Sequence, residues 1–87
     1  MHEHSLTSGL IHKIESLARE HHSGRVVSVT IALGALSNIS AGHFREHFVA
    51  AARGTIAGDA LLTIRQESDI GSVNAQQIML ESVEFEE

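Results

Sequence analysis

Leu6, Leu10, Ile14 and Leu17 recur at i, i+4, i+8 and i+11, and Ile11 and Ala18 widen the same stripe. Lys13, Glu15, Arg19 and Glu20 fall on other faces, so residues 5–22 are predicted to form an amphipathic helix. Gly24 stands where a helix C-cap takes positive φ, and Arg19, His21 and His22 occupy the last turn, where positive or polarisable groups suit the macrodipole. The period then shortens to two. In RVVSVTIALG (25–34), Val27, Val29, Ile31 and Leu33 alternate with Ser28, Thr30 and Ala32, which reads as a strand with one buried face. ALSNIS breaks the alternation, and Ser40 offers an N-cap for a second helix over 41–53. Ile39 and Phe44 form a candidate hydrophobic staple, Phe44, Phe48, Val49 and Ala52 mark the core face, and Gly54 closes the helix.

ALLTIRQE (60–67) is the second strand and QQIMLESVEFEE (76–87) the third. The third slips phase, because Ile78 and Leu80 share one face and Val83 and Phe85 the other. A bulge near Glu81–Ser82 would return both pairs to the core. The polar connection ESDIGSVN (67–74), from which a loop over 68–75 is expected, lacks a two-residue hairpin turn, and a looser antiparallel hairpin is predicted. The order α-β-α-β-β, with a helix between the first two strands, suits a parallel crossover. The expected fold is a small α/β two-layer sandwich, with two helices on one face of a three-stranded mixed sheet and residues 1–87 as a single domain.

Composition narrows the function. The 87 residues contain no cysteine, which excludes disulfides, thiolate catalysis and any Cys-based zinc site within this sequence. A net charge of −5, with six Lys and Arg scattered from Lys13 to Arg65, argues against nucleic acid as a partner. No apolar run approaches a membrane span, so no membrane partner is expected and the default compartment is the cytoplasm. No Ser/His/Asp spacing, paired-carboxylate pattern or Gly-rich phosphate loop appears. Seven histidines remain as the candidate chemistry.

Two clusters hold most of them. His43-Phe-Arg-Glu46-His47 matches the H-x-x-E-H string of inverted zinc peptidases, and on a helix His43 and His47 share a face. Such an enzyme needs a third protein ligand and a cleft, for which a chain of this size has little room, and the interleaved Phe44 and Phe48 point to the core. The plainer reading is two rim histidines forming a weak i, i+4 metal clip. His12, His21 and His22 read as solvated helix positions.

The second cluster is MHEH at the start. A terminal amine, the first main-chain amides and the imidazole of His2 can close small chelate rings. Nitrogen donors in one plane suit Ni(II) and Cu(II) better than Zn(II) or Mg(II). Capture there should strengthen as pH rises, because the donors must lose protons.

MHEHSL before an amphipathic helix, VTIALGALSNISAGHFREHF, AARGTIAGDALLTIRQE and the closing QIMLESVEFEE together resemble the HypA/HybF hydrogenase nickel-incorporation proteins. The resemblance implies a nickel metallochaperone, not an enzyme, that holds Ni(II) at Met1, His2 and Glu3. It implies as partners a nickel-handling maturation GTPase and the hydrogenase large subunit; self-association, if any, should be weak. The sequence departs from the family's pattern twice. ESDIGSVN stands where the family has a zinc ribbon with two Cys-x-x-Cys pairs, and Ala35 stands where it usually has Glu. The alternative is a zinc-less protein-interaction adaptor of the same maturation pathway, with weak or no metal binding.

Overall fold

The alternating stretch becomes the central strand of a sheet whose apolar side is roofed by both helices. In the computed structural model, residues 3–22 and 24–86 are described, with side chains from residue 6 onward. Five elements follow in the predicted order: α1 (Glu3–Glu20), β1 (Val26–Leu33), α2 (Ala41–Ala52), β2 (Leu61–Gln66) and β3 (Ile78–Phe85). β1 pairs parallel with β2, Val29 opposite Leu62 and Ile31 opposite Ile64. β3 runs antiparallel along the other edge of β1, giving the sheet order β2-β1-β3. The α/β class, the helix and strand count and the mixed sheet are as the sequence predicts.

The hairpin between the last two strands is not. β2 and β3 lie on opposite sides of β1 and never pair. Placing β1 in the middle hydrogen-bonds both its edges and covers its apolar face from both flanks. Val26, Val29, Ile31 and Leu33 are accordingly almost wholly buried. The segment 67–77 therefore passes across the end of β1. There the Gly34 amide donates to the Gln77 carbonyl at 2.8 Å and the Leu36 amide to the Ala75 carbonyl at 2.6 Å. The backbones approach so closely that a Cβ at Gly34 would overlap the carbonyl oxygen of Ala75, which is why glycine stands here.

The bulge expected in the third strand is present. Thr30 pairs with Ser82 and Ile31 with Leu80, so Glu81 is the extra residue. Leu80 and Ile78 on one side of it, and Val83 and Phe85 on the other, all pack against the core. A second irregularity lies between Val26 and Ser28 of β1. It turns Val27 outward, 47% exposed, and Val26 inward, correcting the face expected of Val27.

α1 is anchored by Leu10, Ile11, Ile14 and Ala18, all buried. It ends earlier than residue 22. The left-handed residue that closes it is His22 (φ 53), whose amide bonds back to the Arg19 carbonyl at 3.1 Å. α2 begins as predicted at Ser40, whose Oγ accepts from the His43 amide at 3.2 Å, and Gly54 follows it at φ 80. Phe44, Phe48 and Ala52 are buried, but Val49 is 47% exposed, because it falls beyond the edge of the stripe that meets the sheet. Ile39 and Phe44 both lie in the core cluster, as a staple requires.

The opposite face of the sheet is polar. Arg65 on β2 reaches across β1 to Glu81 on β3, its Nε 2.9 Å from Oε1, and its Nη1 bonds Glu67 at 3.2 Å. These hydrogen bonds, that to Glu81 foremost, push the Arg65 guanidinium further above its ordinary value. They hold the Glu81 carboxyl below its usual range. Ala32, the register partner of Arg65, is buried on this face.

Candidate metal centre

Chain direction decides which residues meet at the candidate site. The end of α1 lies beside the start of β1 and the end of β3, where the His21 ring stacks on Phe85 at 4.8 Å. The end of α2 is there too, because the Val26 amide donates to the carbonyl of Ile56. Both helices therefore run opposite to β1, and both begin at the other end of the domain. That end gathers the start of α1 at Glu3, the turn after β1, the Ser40 cap and the first turns of α2.

Of the expected nickel ligands, Met1 and His2 lie outside the described residues, and Glu3 is described only as the first residue of α1. The side chain of His4 lies outside them as well. Thr7, two residues beyond Ser5, is 1% exposed and the only buried polar residue among those described. Its side chain is engaged, and no buried side-chain polar atom is left unpaired among the described residues. Sequence reasoning did not single out Thr7. Its position between Leu6 and Leu10, three before Leu10, was the available signal.

α2 presents the second cluster. The His43 and His47 rings are stacked with centroids 4.8 Å apart and planes at 28°. His43 is exposed and His47 half-buried, whereas Phe44 and Phe48, centroids 5.9 Å apart, are buried on the adjoining face. Glu46 points to solvent, and Arg45 uses Nη1 to bond the Leu62 carbonyl at 3.1 Å. Among the described residues no three His, Asp or Glu side chains come together in a group able to hold a metal. The third ligand that a peptidase reading of His43 and His47 demands is thus missing from them. His12, His21 and His22 are exposed, as expected. Among the described residues no helix is long and apolar enough to cross a membrane.

Two helices that begin at one end above a three-stranded mixed sheet define a small two-layer α/β domain. Residues 1–83 match the family model described as hydrogenase/urease nickel incorporation, metallochaperone, HypA. The chain belongs to the HypA family. It is 42% identical over 64 residues to the hydrogenase maturation factor HypA of Rhodopseudomonas palustris strain BisB5, covering 74% of this chain and 57% of that protein. It is 31% identical over 75 residues to the factor of the same name from Chlorobaculum tepidum, covering 86% and 66%. The chain thus spans about three-fifths of the length of these curated relatives. Its fold is similar to the solution structure of the Ni metallochaperone HypA from Helicobacter pylori, with a TM-score of 0.82, 20% identity and coverage of 98% and 97%.

Proposed function

We propose that this chain is a nickel-binding metallochaperone module that takes up Ni(II) at Met1, His2 and Glu3 and passes it on during maturation of [NiFe]-hydrogenase or a related nickel enzyme. The observation that carries the reading is the family match, which runs from Met1 through the Met-His-Glu start to residue 83. The topology supports it, because α1 begins at the same end as the capped start of α2. The ion is cargo, and a site that gives it up to a partner suits that role better than a closed cage would. The partners in this reading are a nickel-handling GTPase and the hydrogenase large subunit, and the protein makes and breaks no covalent bonds itself.

The physical mechanism is nitrogen chelation. With Met1 first, its amine, the adjoining main-chain amides and the His2 imidazole could close small chelate rings, and nitrogen donors in one plane are the set that Ni(II) favours. Glu3 supplies a carboxylate one residue on. Uptake releases protons, so it should grow from about pH 6 to 8 as the imidazole and the amine deprotonate. Equilibrium dialysis combined with absorption spectroscopy on the untagged protein tests this. One nickel should bind with the band of planar nitrogen coordination, His2→Ala should abolish that band, and an extension of a few residues before Met1 should do nearly equal damage. An extended protein with unchanged nickel affinity and spectrum would exclude the terminal amine as a ligand. A protein with no stoichiometric uptake at all would be an adaptor instead.

A further inference from the structure

We infer that His43 and His47 form a second metal site, one that takes a late first-row divalent cation on two imidazoles and leaves its other positions open. The two residues are one helical turn apart on α2, which brings their rings into contact at 4.8 Å. An ion bound at about 2.0–2.1 Å by one nitrogen of each ring holds those nitrogens roughly 3 Å apart. The stacked rings place two imidazoles side by side on one face of α2. The backbone itself is firmly held. Ser40 caps α2 through the His43 amide, and Phe44 and Phe48, interleaved with the histidines, are buried at 0% and 2% exposure.

Ligand chemistry selects the cation. Two neutral imidazoles suit Ni(II), Cu(II) and Zn(II) and have little attraction for Mg(II) or Ca(II). Lack of a third ligand among the described residues makes the site exchangeable and weaker than a closed one. The positive end of the α2 dipole weakens it further, although the net charge of −5 works the other way. The site lies at the end of the domain where α1 begins, so a chain that carries nickel at its N-terminus holds a second landing place for the same ion. That role rests on the nickel reading above, whereas the site itself does not.

The test uses the full untagged chain with nickel alone, following equivalents bound by dialysis, the planar-nitrogen band by absorption, and paramagnetic broadening of histidine ring signals by NMR. The unsubstituted protein should bind two equivalents, the weaker one broadening the His43 and His47 rings without adding to the planar band. His2→Ala should lose the band and keep the weaker equivalent. The double variant His43→Ala, His47→Ala should keep the band and lose the weaker equivalent, with its circular dichroism unchanged. If the planar band is missing from the unsubstituted protein while the weaker equivalent persists and depends on His43 and His47, the N-terminal reading fails and this site stands. A weaker equivalent that survives the double variant, or a His2→Ala protein that binds no nickel, overturns the second site.

Discussion

The layer between helices and sheet and the end where both helices begin obey different rules. In the layer, position is dictated by burial: Ile14, Val29, Ile31, Leu33 and Phe44 are each at 0% exposure and belong to one apolar cluster. Changing any of these side chains disturbs several others, because close-packed interiors relax only partly. At the helix-start end His43 is exposed and His47 half-buried, and neither belongs to that cluster. His43 and His47 adjoin the buried face of Phe44 and Phe48 on the same two turns of α2, so one helix serves both regions. The difference teaches that the apolar cluster is built without the histidines of the helix-start end. That agrees with a chain that lacks the cysteines of a structural zinc site.

The sharpest way to break this separation is Phe44→Ala. Its ring is fully buried beside Phe48, so its loss should cost about 3–5 kcal/mol. In a domain this small, such a loss threatens folding itself. Chemical denaturation should show the midpoint falling steeply, while nickel uptake by the fraction still folded stays unchanged. A parallel loss of nickel affinity in the folded fraction would mean that the two regions are coupled.

Gly34→Val comes next. The added side chain meets the Ala75 and Asn74 carbonyls at the point where segment 67–77 crosses β1, and overpacking of this kind costs about 1–3 kcal/mol. Hydrogen exchange locates the damage. The amides of Gly34 and Leu36, which donate across this crossing, should lose protection before those at the middle of β1. Equal loss along the whole strand would mean that the crossing is no separate weak point.

His43→Ala with His47→Ala sharpens the contrast from the other side. His43 is exposed, His47 half-buried and neither belongs to the apolar cluster, so the denaturation midpoint should move far less than with Phe44→Ala. A large destabilisation would show the imidazoles to be part of the core after all.

Legibility in the sequence follows the same division. The apolar periods mark every element of the layer, and the phase slip of Ile78 and Leu80 against Val83 and Phe85 signals a bulge near Glu81–Ser82. The second irregularity was hidden, because Val26 and Val27 are the same residue type and either could face inward. Val49 was misplaced for a related cause, since a helix only three turns long leaves the border of its stripe undefined by period alone. Strand neighbours were the larger miss. Link length distinguishes a tight hairpin from a crossover, but it does not say which strand takes the centre, and here the strand with the longest apolar face took it. For the helix-start end, residue type and spacing singled out His43 and His47, while their ring stacking needed the fold. Met1, His2 and Glu3 are singled out by chelate chemistry and the resemblance.

The smallest effect concerns the polar face of the sheet, which belongs to neither region. Arg65 holds the Glu81 carboxyl below its ordinary value of 4.5, so the folded protein keeps this group ionised to lower pH than the unfolded chain does. A lowered folded value contributes stability that is fully present above about pH 4.5. That contribution is lost as pH falls through the lower folded value. Both side chains are well exposed, so solvent screening keeps it small. Arg65→Gln should therefore lower the denaturation midpoint slightly at pH 7 and less at pH 3, where the unsubstituted protein has already begun to lose the same interaction. A midpoint difference that grows toward pH 3 would have the wrong sign for an ionised Glu81, and the stabilising partner of Arg65 would then be something other than that carboxylate.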